Sequence, residues 1–533
     1  INDSGRLIVT SGDRSTGILA QSIGGGGGTG GLSAAQGIGS AGAISLSLGS
    51  GDASGGNGGS VSVTTASGIV TSGDDSAGIL AQSVGNGGGF GGIDVSGDLA
   101  GASSMTAALG ASGTGNGDGG DLSLISTGSA ITTSGDRSHG ILAQSIGGGG
   151  GAASIGVTGS VEATSAAVTL GGQNGGSGTG GTVSVQNASG IEAAGAGSYG
   201  IIAQSIGGGG GLVSNAGTSG IGGLGLTMPD GDGTNTGDGG QVTITNSGGI
   251  ATSGAGAIAI IAQSIGGGGG LDAVNGNAGS AGGTGTGGPV TVNNSGNIVT
   301  QGSYAHAIIA QSIGGTGTGG PVAVTNGGNI LAEGAGSDAI LAQSTGGSGG
   351  NISVTIQDGI VRGGSGTGSA VRILEGAVNT LTNYGTLVSK GGPLGNALIA
   401  TTGDETINNF GTIAGSVDLG TGNSTFNNMT GSWFLPGTTV NLGGTGTLTN
   451  KGTLSPGGLE NVVTTTVTGN YVQQSSGVYA VDIDTRAGTA DHVKVSGATA
   501  LAGWVAPNIA NKGFALPGTQ QVTIVTGNTG ITN

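Results

Sequence analysis

Few side chains in this 533-residue chain could do chemistry, and most of those that could recur at fixed offsets. The dipeptide Gln-Ser appears at Gln21/Ser22, Gln82/Ser83, Gln144/Ser145, Gln204/Ser205, Gln263/Ser264, Gln311/Ser312 and Gln343/Ser344. A serine nucleophile needs a base to take its proton. Glutamine is no base, and no histidine or carboxylate accompanies the pair through all its copies. The row is expected to be a structural ladder, with side-chain amides bonding coil to coil. Five residues before each glutamine stand Thr16, Ala77, His139, Tyr199, Ile258, His306 and Asp338. So scrambled a column argues against a shared catalytic role. His139 and His306 are expected to be variable turn residues, the alternative being a ligand-contacting row along one edge.

Paired acids can hydrolyse or eliminate glycosidic bonds. Asp74-Asp75 is the adjacent pair within the repeats, but its equivalents are Asp13-Arg14 and Asp136-Arg137, a pattern of turn chemistry. Gly51-Asp52-Ala53-Ser54-Gly55-Gly56 resembles a nucleophile loop only as Gly/Ser-rich sequence does by chance. GxGxxG spacings recur by composition, and no Gly-Lys-Ser/Thr occurs, so no phosphate loop is expected. Asn116-Gly117-Asp118-Gly119-Gly120-Asp121-Leu122 could supply one calcium site. Its counterpart Gly178-Thr179-Gly180-Gly181-Thr182-Val183 lacks aspartate, which excludes a calcium-driven array. Thr243/Thr245 could start an ice-binding Thr-x-Thr face, but it does not recur well. With no cysteine there is neither disulfide nor thiolate site. The balance of 27 acidic against 10 basic residues, net −17, disfavours nucleic acid and anionic membranes. The expectation is therefore no catalytic residue, no cofactor and no metal: not an enzyme.

The elements that carry these residues follow from glycine, 135 of 533 residues. Glycine within a regular element costs roughly 0.5–1 kcal/mol relative to alanine. So many are tolerable only at turns, which implies many short strands. Collagen is excluded because glycine keeps no strict every-third register and proline numbers 8. Low-hydrophobicity disorder is excluded by 34% hydrophobic residues. No run of about 18 apolar residues exists to cross a membrane as a helix. The class is all-β.

Successive Gln-Ser copies are spaced 61, 62, 60, 59, 48 and 32 residues. The shortest unit holds three strands, over 321–326, 329–333 and 339–345, and fits one coil of a parallel β-helix, or β-solenoid. The longer units add about 28 residues. We expect this insert to be a second coil, because Ala43-Ile44-Ser45-Leu46-Ser47-Leu48 alternates like a strand; a protruding loop is the alternative. At roughly 25–30 residues per coil, such a chain would form a rod on the order of 80–100 Å long. A narrow core of Val, Ile, Leu and Ala would leave little room for aromatic rings.

Composition shifts near residue 350. Nine of twelve aromatics and seven of ten basic residues follow it. The sequence divides into a glycine-rich repeat β-helix (1–350), a shorter-coil β-helix (351–450) and a capping region (451–533). The middle part repeats apolar-x-Asn-x-Gly-Thr-apolar, as in Leu381-Thr382-Asn383-Tyr384-Gly385-Thr386-Leu387, Ile407–Ile413 and Leu448–Leu454, with Asn and Gly expected to supply the turn. In the cap, Tyr479, Val481 and Ile483 alternate against Ala480, Asp482 and Asp484. A solenoid needs such a cap to shield its end from edge pairing.

The Asn-x-Gly-Thr units, Gly452-Thr453-Leu454-Ser455-Pro456-Gly457-Gly458, Tyr479–Asp484 and Asp491-His492-Val493-Lys494-Val495 resemble the pertactin-like, autochaperone region of type V autotransporter passengers of Gram-negative bacteria. The Gly-Ile-Leu-Ala-Gln-Ser-Ile repeats are similar to those of large repetitive autotransporters. The resemblance implies a right-handed parallel β-helix, exported through the inner membrane and passed through its own C-terminal outer-membrane barrel. It also implies a cell-surface or extracellular location, anchored at or released from the outer membrane. The chain starts at Ile1 in mid-unit, Asp3-Ser4-Gly5 reading as a turn whose preceding strand is missing. It shows no signal peptide and no barrel strands, so a fragment or processed passenger is expected. The function expected is a non-enzymatic stalk or adhesin whose partner is a host or neighbouring-cell surface ligand. The alternatives are a self-assembling filament or surface layer, and a polysaccharide-active enzyme on the same scaffold.

Overall fold

In the computed structural model, residues 1–34, 43–48, 56–96, 104–109, 116–158, 166–170, 176–216, 224–225, 234–272, 277–279, 283–511, 521–529 and 531–532 are described. All regular elements among them are strands. The chain divides into two compact units. The first comprises Ile1–Ala305, Ile309–Val322 and Ser344–Gly350; the second comprises His306–Ile308, Ala323–Gln343 and Asn351–Asn533.

Each coil of the first unit contributes one strand to each of three parallel sheets. The first sheet stacks Asn2–Asp3, Val61–Thr65, Leu122–Ser126, Val183–Asn187, Val242–Asn246 and Val290–Asn294 in that order. The register is strict, Val61 opposite Leu122, Leu122 opposite Val183, and Val183 opposite Val242. These strands alternate buried and outward residues, Val61, Val63 and Thr65 being buried. The second sheet stacks strands such as Ile69–Thr71 on Ala130–Thr133, and the third stacks Ile79–Val84 on Ile141–Ile146. The architecture is a parallel β-solenoid, as expected. Asn2–Asp3 pairs with Thr64–Thr65, so Asp3 belongs to a strand rather than to the turn expected there.

The insert is not a second coil. Had it been one, Val61 would pair with an insert strand; instead it pairs with Leu122 of the next repeat. The first four inserts contribute Gly27–Ala34 and its equivalents to a separate sheet, and Ala43–Leu48 and its equivalents to another, while the last places both Gly269–Asp272 and Asn277–Gly279 in the first of these. Among the described residues the insert strands pair only with insert strands, and the first of these sheets lies against the third coil sheet. That covering layer explains why Ile79–Val84 is buried at every position, where an uncovered strand would alternate. In the second unit, Gln343 at the equivalent position is half-buried.

The glycine run makes the corner between coil and insert. Gly88 has φ +126, and a Cβ there would lie 1.9 Å from the Gly150 carbonyl oxygen of the next repeat. Only glycine fits both the backbone angle and the approach.

In the second unit the coils shorten. Equivalent asparagines Asn383, Asn409, Asn428 and Asn450 are 26, 19 and 22 residues apart. Aromatic rings enter this core: Phe426 and Phe434 stack with centroids 4.4 Å apart, and Tyr471 and Tyr479 are buried. After Val478–Asp484, the chain adds an antiparallel Thr489–Ala490 pairing and a parallel strand, Trp504–Asn511, along the same segment.

Candidate functional site

The Gln-Ser rows occupy the third sheet of the first unit. Gln21 Nε2 donates to Gln82 Oε1 at 2.7 Å, Gln82 to Gln144 at 2.7 Å, Gln144 to Gln204 at 2.7 Å, Gln204 to Gln263 at 2.6 Å, and Gln263 to Gln311 at 2.7 Å. The expected amide ladder is present. Thr29 of the insert donates to Gln21 Oε1, so the glutamine face looks toward the insert. The serines form a second seam. Ser83 Oγ donates to the Gly59 carbonyl at 2.9 Å and accepts from Gly120 N at 2.8 Å, and Ser145 repeats this with Gly120 and Gly181. A hydroxyl holding two backbone groups in a buried seam is no nucleophile.

Asp13, Asp74 and Asp136 form a turn ladder, as their spacing suggests. Asp13 Oδ1 accepts from Asp74 N at 3.0 Å, Asp74 Oδ1 from Asp136 N at 2.9 Å, and Asp136 Oδ1 from Ala196 N at 2.8 Å. The next position is left-handed in every repeat: Arg14, Asp75 and Arg137 have φ of 55, 54 and 55. Arg137 grips Asp75 with two bonds, Nε to Oδ1 at 2.8 Å and Nη2 to Oδ2 at 3.0 Å, both side chains being buried. This acid pair is a stack of corners.

The variable column before the glutamines is also at a turn, yet most of it is buried. Ala77, His139, Tyr199, Ile258 and Asp338 are at most 2% exposed, which removes the edge-row alternative for them. The His139 and Tyr199 rings stack at 5.0 Å, and His139 Nδ1 accepts from Tyr199 N at 3.2 Å. Burial, reinforced by the Arg137 charge, pushes the His139 imidazole down to about 3.

In the second unit, His306 Nδ1 accepts from Asp338 N at 3.0 Å, while the Asp338 carboxylate binds Arg372 Nε at 2.7 Å and the Ser369 hydroxyl at 2.7 Å. Histidine, aspartate and serine thus meet, but in the wrong order for nucleophilic catalysis. Ser369 Oγ gives its hydrogen to aspartate and is fully buried. Burial outweighs the Asp338 charge and lowers the His306 pKa. Spacing alone did not reveal this cluster, because Ser369 and Arg372 lie beyond the Gln-Ser repeats.

The carboxylates weighed for calcium hold neighbouring strands. Asp118 Oδ1 accepts from Thr179 N at 2.8 Å and Thr179 Oγ1 at 3.0 Å, and Asp121 Oδ1 from Thr182 N at 2.8 Å. Among the described residues no three His, Cys, Asp or Glu side chains gather as a metal site. The Gly51–Gly56 segment lies outside the described residues, apart from Gly56.

One acid pair escaped the sequence reading. Asp482 falls on the opposite face from Tyr479 by alternation, yet the chain after it folds back and buries it. Asp491 Oδ1 accepts from Val463 N at 2.7 Å and Oδ2 from Asp482 N at 2.8 Å; Asp482 Oδ2 accepts from Asn461 N at 2.9 Å. Burial, with the Asp482 charge adding to it against the two amide bonds, pushes the Asp491 carboxyl up to about 7. Two adjoining carboxyls can serve a glycosidase, but both side chains are at most 1% exposed and no sugar could reach them.

The asparagines of the second unit are not merely turn residues. Asn383 Nδ2 donates to Asn409 Oδ1, Asn409 to Asn428 and Asn428 to Asn450, each at 2.8 Å, in a buried ladder. Asn187, Asn246 and Asn294 do the same in the first unit. Their constant offset from the Val-x-Val strands was the available signal.

No family model matches the chain, and no curated protein matches it significantly.

Proposed function

We propose that this protein is an exported cell-surface passenger of the autotransporter type, a non-enzymatic stalk or adhesin that acts through its surface. The observation that supports this most is where its chemically capable side chains are spent. The Gln, Ser and Asn rows, Asp75–Arg137, Asp338–Arg372 and Asp482–Asp491 all hold strand to strand or coil to coil. Repetition of that kind suits a scaffold that extends by adding units. The shortened coils and the folded-back strand at 504–511 agree with the autochaperone resemblance. Its partner on this reading is a ligand on a host or neighbouring cell, with its own barrel as the export channel.

Antibody against the first unit tests location. Labelling of intact producing cells at the outer surface supports the reading, and labelling only after permeabilisation contradicts it. Cleavage of glycans or peptides by the purified chain, abolished by one Asp or His substitution, would replace it with the enzyme reading.

A further inference from the structure

The outward face of the first sheet in the second unit carries a two-row array. Successive strands present Ser353 and Thr355, Thr380 and Thr382, Thr406 and Asn408, Thr425 and Asn427, and Thr447 and Thr449. Pairing is in register throughout, Ser353 opposite Thr380, Thr380 opposite Thr406, Thr406 opposite Thr425, and Thr425 opposite Thr447. The second row follows the same order, and no bulge interrupts it. The Thr-x-Thr pattern that failed to recur from Thr243/Thr245 therefore recurs here, with asparagine or serine as the only replacements.

We propose that this array binds the surface of ice. The first ground is metric. Neighbouring strands set the rows at about 4.8 Å, and alternate residues stand about 6.7 Å apart along the strand. Tetrahedral water with O···O bonds of roughly 2.8 Å has second neighbours roughly 4.6 Å apart and repeats about every 7.4 Å along the hexagonal axis. The mismatch across strands is about 0.2 Å per step, or about 0.8 Å over the array, and between the two rows it is about 0.7 Å, each well short of one hydrogen-bond length. The second ground is charge. None of the ten side chains is charged, in a chain of net charge −17, so the face suits a neutral lattice. The third is rigidity. Threonine is stiff at χ1, and Asn427 Nδ2 donates to Asn408 Oδ1 at 3.0 Å, so little freedom remains to be lost on binding. In the first unit the same face mixes Ser123 with Ile125 and Ser184 with Gln186, and makes no such lattice.

The test is inhibition of ice recrystallisation by the whole chain, with Thr406→Tyr and Thr382→Tyr as protruding variants and Gln186→Tyr as the control. Far-ultraviolet circular dichroism confirms that each variant is folded. Wild type and Q186Y should keep ice grains small at micromolar concentration, with T406Y and T382Y weaker by at least tenfold. Grain growth equal to that in albumin at the same mass overturns the proposal, as does full activity of both protruding variants. Retention on insoluble cellulose or chitin without an effect on ice overturns it in favour of a neutral polymer. Self-association that T406Y abolishes, again without an effect on ice, makes the face an interface between copies.

Discussion

Gln144 Nε2 donates to Gln204 Oε1 at 2.7 Å while Gln144 Oε1 accepts from Gln82 at the same distance. Both groups of the Gln144 amide are thus committed to residues about sixty positions away in sequence, and Gln82, Gln144 and Gln204 are all fully buried. Replacing Gln144 with leucine leaves a donor on Gln82 and an acceptor on Gln204 without partners. Each buried unsatisfied group costs about 1–3 kcal/mol, so Gln144→Leu should destabilise the first unit by about 2–6 kcal/mol in urea denaturation. Gln144→Glu should cost more, because it buries a charge without a cation.

Asp75 and Arg137 form a buried, two-pronged pair. Arg137→Met leaves the carboxylate buried alone and should cost about 3–5 kcal/mol. The double variant Asp75→Gly, Arg137→Met should recover most of that loss, since glycine also suits the left-handed backbone at position 75. Denaturation midpoints of the two single variants and the double variant would measure the coupling.

His139 is held near 3, below its ordinary value of 6.5. The unfolded chain therefore binds more protons than the folded one between these values. Its contribution is complete above about pH 6.5 and is lost as pH falls toward 3. Protease resistance of the first unit should drop between pH 7 and pH 5, and His139→Phe should flatten that dependence despite a lower starting stability.

Asp491 acts in the opposite sense. Its folded value of about 7 lies above the ordinary 3.8, so the folded chain holds the proton more tightly. Stability from this group is complete below about pH 4 and falls as pH rises toward 7. Hydrogen exchange around Val463 and Asp482 should be faster at pH 8 than at pH 5, after correction for intrinsic exchange. Asp491→Asn should remove the difference.

The repeat made part of this legible. Glutamines at a constant offset meet their own copies, so the amide ladder followed from recurrence, whereas the serine contacts to glycine backbone did not. The turn acids followed in the same way from Asp13, Asp74 and Asp136. The insert did not, because Ala43–Leu48 alternates identically in a second coil and in a separate covering sheet; only the partner strand distinguishes them. The burial of Asp482 was not legible because alternation gives only its face, and Asn461, Asp491 and Asn508 close over that face. The Ser369–Asp338–His306 cluster joins residues from successive coils with no repeating offset.

The central claim is that each long repeat is a single coil, so that residues about sixty apart are strand neighbours. The chain has no cysteine, which allows a direct measurement. Ser123 faces outward opposite Ser184 on the adjacent strand. Neighbouring strands are about 4.8 Å apart, within the Cα separation that a disulfide spans. The double variant Ser123→Cys, Ser184→Cys should cross-link within one chain on mild oxidation, giving a reducible shift in gel mobility. Absence of that cross-link, together with one between Ser123→Cys and a cysteine placed at Thr169 in the intervening insert, would show two coils per repeat and contradict the account.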